Sequence, residues 1–149
     1  MDFQECIKFT NENRTCYLAT VDEEGWPRVR AMGIWFADDK GFHFSTHESK
    51  MLCKQLEKNN RVEVCFYAPN PGGGLAPMLR IRGETEFIDD LEFKRRLLED
   101  RPFIKKRYGV EKAEDPGPVI FRIYKGEAYL WTLDYNLREP EMKRIRFGE

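Results

Sequence analysis

The sequence predicts a mainly β fold, a closed or nearly closed β-barrel with peripheral helices, on three observations. Six or more short segments alternate apolar and polar side chains between hairpin-type turns. Three helical segments interrupt them, with no internal repeat and no flexible linker. The 149 residues are 41% hydrophobic and 13% aromatic, enough for one core and too few for two, so residues 1–149 are expected to form a single domain.

The elements follow in order. Residues 2–13 predict a short helix, because Asp2 and Glu5 fit a capping box and Phe3, Cys6 and Ile7 share a face. Residues 15–21 (TCYLATV) are dense in β-formers, and Asp22-Glu23-Glu24-Gly25 is a turn. Residues 26–37 predict one long second strand. Its even positions are Trp26, Arg28, Arg30, Met32, Ile34 and Phe36, a face basic at its start and apolar at its end. Asp38-Asp39-Lys40-Gly41 is a hairpin turn into a third strand over residues 42–46. Residues 48–59 are helical, with Met51, Leu52, Gln55 and Leu56 at helical spacing, and residues 62–67 alternate as a strand. A loop with three consecutive glycines spans residues 69–77, and residues 78–88 are a strand with Leu79, Ile81 and Gly83 on one face. Asp89 and Glu92 offer a second capping box, for a helix that Pro102 interrupts and Gly109 stops. Residues 110–118 predict a charged surface loop. Residues 119–125 and 127–133 predict a hairpin about Lys125-Gly126, and residues 142–147 a last short strand.

The balance of charge excludes several functions. With 25 basic and 26 acidic residues the net charge is −1, so no global field draws the chain to nucleic acid or to an anionic membrane. Any anion site must be local. No apolar run approaches the roughly 20 residues of a membrane span, and residues 1–10 show no secretory signal pattern. Cys6, Cys16, Cys53 and Cys65 are widely spread and form no CxxC pair, which favours buried free thiols and a cytoplasmic location. His43 and His47 are four apart on a strand and turn, where they do not face one another, so no metal site is expected.

Two groups of residues could hold an anion. Ser45, Thr46 and Ser49 surround the start of a helix and Lys50 sits just inside it, so hydroxyls, an ammonium and unpaired helix amides converge. Ordinary helix capping is the alternative use of the same residues. Arg28 and Arg30 share one strand face, and a hairpin between adjacent strands would bring them to the Ser45–Lys50 corner. Trp131, with Tyr129 and Tyr135, serves either core packing or stacking beside a flat cofactor.

The runs LATVDEEGWPRVRAM, GFHFSTHESKMLCKQLEKNNRVEVCFY and LRIRGETEFIDD resemble the pyridoxamine 5′-phosphate oxidase-like flavoproteins. Among these the chain looks closest to the small branch near the general stress and nitroimidazole-resistance proteins. The resemblance runs from about Arg14 to Asp90, with a weaker echo to Leu133. It implies a split β-barrel that dimerises and binds FMN in clefts between subunits. Arg30, Ala31 and Met32 would then line the flavin, Ser45, Thr46, Ser49 and Lys50 would hold the phosphate, and Trp131 would approach from the partner subunit. The chain departs from the vitamin-forming oxidases at Met78, where their motif has glutamine. It also lacks a second basic residue beside Lys50 and a C-terminal tryptophan-arginine segment. The resemblance therefore implies an FMN-dependent oxidoreductase of flavin reductase type with a small-molecule donor and acceptor. The alternatives are a non-catalytic flavin-binding or sensing dimer, or a split barrel that binds haem or a deazaflavin. No acid or base stands out, and no catalytic residue is assigned.

Overall fold

A computed structural model describes residues 1–149. Helix α1 (Phe3–Glu12) begins at the expected box: the Glu5 amide donates to the Asp2 carboxylate at 2.9 Å, and the Asp2 amide to Glu5 at 2.7 Å. Its Phe3 stacks on Phe147, with ring centres 5.1 Å apart, and packs the helix against the main core.

Strands β1 (Thr15–Val21) and β2 (Pro27–Gly33) form a hairpin with Leu18 opposite Arg30. The single strand predicted over residues 26–37 is broken. Ile34 and Trp35 are consecutive apolar residues, both buried, which no alternating strand accommodates. The Ile34 amide donates to the Arg14 carbonyl and the Trp35 amide to the His43 carbonyl, so the chain changes partner there. Strand β3 (Phe36–Asp38) then turns through residues 38–41 to pair with β4 (Gly41–His47).

Helix α2 (Met51–Lys58) starts three residues later than its apolar spacing predicts, because residues 47–50 form a turn and the Glu48 amide is taken by the Gly117 carbonyl. Lys50 therefore occupies the cap position, in extended conformation, rather than the first turn. Strands β5 (Arg61–Tyr67) and β6 (Met78–Ile88) follow, then α3 (Leu91–Asp100) and α4 (Phe103–Tyr108). The second capping box is not formed. Asp90, not Asp89, accepts from the Phe93 amide at 3.0 Å, while Asp89 pairs with Lys94. Gly109, with φ of 67°, ends α4 in the left-handed conformation that favours glycine.

The hairpin predicted about Lys125-Gly126 is absent, and β7 (Pro118–Trp131) is one continuous strand. It lies against β6 along its length, with a bulge between Glu84 and Thr85. Gly126 faces Gly83 across the pair. A Cβ on Gly83 would lie 2.2 Å from the Lys125 carbonyl oxygen, and one on Gly126 2.1 Å from that of Arg82. The glycines permit close backbone approach instead of a turn. Strand β8 (Ile145–Phe147) pairs with the second half of β7, and β4 with its first half.

The antiparallel order is β2-β1-β5-β6-β7-β4-β3, with β8 added on β7. The sheet curls on itself around a core that includes Leu18, Phe44, Phe66, Ile81 and Phe121. A smaller core of Trp35, Leu97, Leu98, Ile104, Val110 and Ile120 lies under α3 and α4. All four cysteines are free, and burial pushes the Cys6 thiol up to about 11 and that of Cys16 up to about 12, so both stay protonated. No helix is long and apolar enough to cross a membrane.

His43 is fully buried between the rings of Phe36 and Phe93, and neither of its nitrogens has a hydrogen-bond partner. Burial lowers its pKa below the ordinary 6.5, against the pull of the Asp38 carboxylate 3.8 Å away, with the Arg122 and Arg96 charges adding to the lowering. The folded state thus favours the neutral ring. Below about pH 6.5 the unfolded chain binds a proton that the folded one refuses, and stability falls by up to about 1.4 kcal/mol per pH unit. Urea unfolding from pH 7.5 to 5 should show this loss, and His43→Phe should flatten it. Parallel curves for the two proteins would assign the acid sensitivity to another group.

Candidate functional site

Strands β2 and β4 are not hairpin neighbours, as their closeness in sequence suggests; they stand near opposite ends of the sheet. The curl brings their free edges toward one another without pairing them. β2 bonds only β1, and β4 beyond His43 bonds only β7. Between these edges opens a cleft of about 620 Å³. Strand β2 lines one wall with Arg28 to Gly33, its outer backbone groups unpaired, which places Ala31 and Met32 there. Ser45, Thr46, Ser49 and Lys50 line the opposite wall, and Arg101, Phe103, Ile104 and Tyr108 close one side.

The cleft is cationic although the chain as a whole is not. Arg28, Arg30, Lys50 and Arg101 line it, and no carboxylate does. Arg28 has a carboxylate partner outside, Asp22 at 3.3 Å. Arg30 has none. Its guanidinium donates to the Thr20 hydroxyl at 2.8 Å, the Gln55 side-chain oxygen at 2.7 Å and the Leu18 carbonyl at 3.3 Å, all neutral. Burial, then the Arg28 charge, lower the Arg30 pKa from its ordinary value, the mark of an uncompensated cation. Arg101 is likewise lowered, by burial and by Arg14, and its Nη2 donates to the Ile34 carbonyl at 2.6 Å. Lys50 lies 5.9 Å above the Tyr108 ring and forms no ion pair.

Thr46 adds an independent signal. Its side chain is 2% exposed and its hydroxyl has no hydrogen-bond partner, although the residue lines the cleft. A buried hydroxyl left unpaired is costly, and a ligand accepting from it removes the cost. Thr46→Val is therefore expected to leave the ligand-free protein as stable or about 1 kcal/mol more stable, while weakening whatever anion the cleft holds. Thermal melts with and without ligand check both signs, and a plain loss of stability would show the hydroxyl to be satisfied already.

The nine residues singled out by sequence divide cleanly. Arg28, Arg30, Ala31, Met32, Ser45, Thr46, Ser49 and Lys50 share this one cleft. Trp131 lies apart from it in its own chain, packed with Tyr129 and Met142 and only 6% exposed. Sequence reasoning missed Gln55, Arg101, Phe103 and Tyr108. Gln55 carried a signal, a polar side chain at helical spacing with Leu52 and Leu56, and it is buried to hold both Arg30 and Thr20. The other three come from the α3–α4 corner, which local pattern does not connect to β2.

A curled antiparallel sheet with a cationic cleft between two unpaired edges defines a split-barrel domain. A family model described as pyridoxamine 5′-phosphate oxidase matches residues 3–131, and the chain belongs to this family. A pyridoxine/pyridoxamine 5′-phosphate oxidase of Rhizobium etli (strain CIAT 652) is 30% identical over 117 residues, covering 69% of this chain and 54% of that protein. The chain thus spans about half the length of that relative. Among solved structures, a NimC/NimA family protein from Clostridium acetobutylicum superposes with a TM-score of 0.72 at 22% identity, over 97% of this chain and 92% of the other. General Stress Protein 26 from Bacillus anthracis (strain Sterne) gives 0.70 at 20% identity, over 99% and 100%. Both likenesses carry the fold.

Proposed function

We propose that this chain is an FMN-binding flavoprotein, a cytoplasmic oxidoreductase of flavin reductase type that moves electrons between a reduced nicotinamide and a small acceptor. The observation that carries the reading is the pairing of the unpartnered Thr46 hydroxyl with the uncompensated Arg30 in one cleft. A phosphate monoester supplies what both lack, a dianion with several acceptor oxygens. The cleft volume lies in the usual range for a cofactor, and the unpaired outer backbone of β2 offers donors and acceptors to a ring with polar edges. Thr46, Ser49, Lys50 and Arg30 would hold the phosphate, while Ala31 and Met32 would border the ring. Bound there, the isoalloxazine would supply the redox chemistry, and the protein would orient it. Homodimerisation would close the open side and bring Trp131 of a second copy to the cleft. Oxidation of pyridoxamine phosphate is disfavoured by Met78, which stands where the vitamin-forming enzymes carry glutamine.

The test is a visible spectrum after FMN loading and gel filtration, followed by turnover of NADH or NADPH with an artificial acceptor. About one bound FMN per chain with turnover is the expected result. Bound FMN without turnover would leave a flavin-binding or sensing protein, and haem or deazaflavin bands in material as isolated would replace the cofactor. A colourless protein that leaves FMN fluorescence unchanged would sink the reading.

A further inference from the structure

His47 stands just outside the cleft, at the end of β4, and its Nδ1 is 2.7 Å from the Ser49 hydroxyl oxygen. The Ser49 amide also points at Nδ1, at 3.1 Å. A nitrogen that accepts from an amide carries no proton, so in this arrangement the Ser49 hydroxyl must donate to it as well. Both Ser49 donors are thereby spent on the imidazole, and the lone pairs of the hydroxyl are all that it offers to the cleft it lines. That is the wrong polarity for an anion. A proton on Nδ1 reverses it. The imidazolium donates to the Ser49 oxygen, and the hydroxyl hydrogen is released toward the anion corner that Thr46, Arg30 and Lys50 share.

We propose that His47 is a positioning residue that couples proton uptake to phosphate binding, acting through Ser49; the proposal rests on the FMN reading above for its natural ligand. The titratable groups around the ring are few. Tyr108 from α4 meets it edge-on at 4.8 Å. Lys50, from its own corner, sits over the same Tyr108 ring, and Glu48 adjoins His47 in sequence. Gly117 and Pro118, which approach from the start of β7, bring no charge. A bound phosphate that accepts from the Ser49 hydroxyl favours the arrangement in which that hydrogen is free, which is the protonated one. By linkage, the proton favours the phosphate equally.

The experiment measures FMN affinity by fluorescence from pH 8 to 5.5 for the wild type and for His47→Asn, which offers an acceptor to Ser49 but does not titrate. Phosphate itself gains a proton near pH 6, so the ratio of the two dissociation constants is the quantity to follow. It should grow about tenfold in favour of the wild type as pH falls, the value of one charge-assisted contact. Riboflavin, which lacks the phosphate, should show a constant ratio and controls for folding. Calorimetry in buffers of different ionisation enthalpy should report more proton uptake on FMN binding by the wild type than by His47→Asn, the phosphate's own proton cancelling in the difference. A constant ratio together with equal uptake by the two, in a protein that binds FMN, overturns the coupling and leaves the cofactor reading intact. Orthophosphate is the second probe, read as thermal stabilisation over the same pH range. Should FMN fail to bind, stabilisation by orthophosphate that strengthens at low pH only in the wild type would sustain the coupling, and its absence would end both.

Discussion

Arg30→Ala is expected to weaken FMN binding by about ten- to a hundredfold, the loss of a charge-assisted contact of about 1.5–3 kcal/mol. The size follows from where the charge sits. Arg30 is half-buried and faces only neutral acceptors, so its field is neither paired off nor fully screened, and an incoming dianion meets most of it. Its fork is also held in place, because Gln55 accepts from both Arg30 and Thr20 and is itself buried. Lysine cannot reproduce that geometry, so Arg30→Lys should recover only part of the affinity. Arg28 is the internal control. It shares the strand face but already pairs with Asp22 near solvent, and Arg28→Ala should cost no more than about threefold. Fluorescence titration of the three variants orders them, and equal losses at 28 and 30 would refute the division of labour.

Phe44→Ala should be the most destabilising of the changes considered, by about 3–5 kcal/mol. Phe44 is completely buried and stacks on Phe121 with ring centres 5.2 Å apart. Truncation loses its transfer free energy and leaves a cavity between β4 and β7 that the paired backbones cannot close. Against a typical total of 5–15 kcal/mol this is a large fraction. Because Phe44 adjoins Ser45 and Thr46, the loosened strand should also lose anion affinity. Val29→Ala, on the exposed edge of β2, should stay within about 0.5 kcal/mol of the wild type. Urea midpoints measure both, and similar shifts for the two would contradict the placement of the core.

The parts legible in sequence are those in which one residue type has one physical use. Asp2 with Glu5 marked the first helix, residues 38–41 marked the β3–β4 turn, and Gly109 marked the end of α4. The errors fall where one residue type has two uses. Lys125-Gly126 resembles a turn, yet Gly126 serves the close approach to Gly83. Ile34 and Trp35 extended an alternating pattern that ends at Gly33, because tertiary burial of two neighbours outweighs alternation. The candidate site was legible as two local clusters, Arg28 to Met32 and Ser45 to Lys50, but not as to how they meet. Their meeting depends on sheet curl, which no local signal encodes, and so does the arrival of Arg101 and Tyr108. Gln55 was visible as a polar residue on an apolar helix face, but its purpose required Arg30 beside it.

The continuity of β7 has a consequence for how the protein is made. This strand is the shared partner of β4, β6 and β8, and it is synthesised after β4 and β6. Until then a nascent chain carries β4 and β6 with one side of each unpaired, and the two walls of the cleft have nothing to hold them in register. Such edges invite pairing with other chains. Synthesis that stalls before residue 118 should therefore leave a product prone to aggregate and dependent on chaperones, whereas release of the next fourteen residues lets the barrel form in one cooperative step.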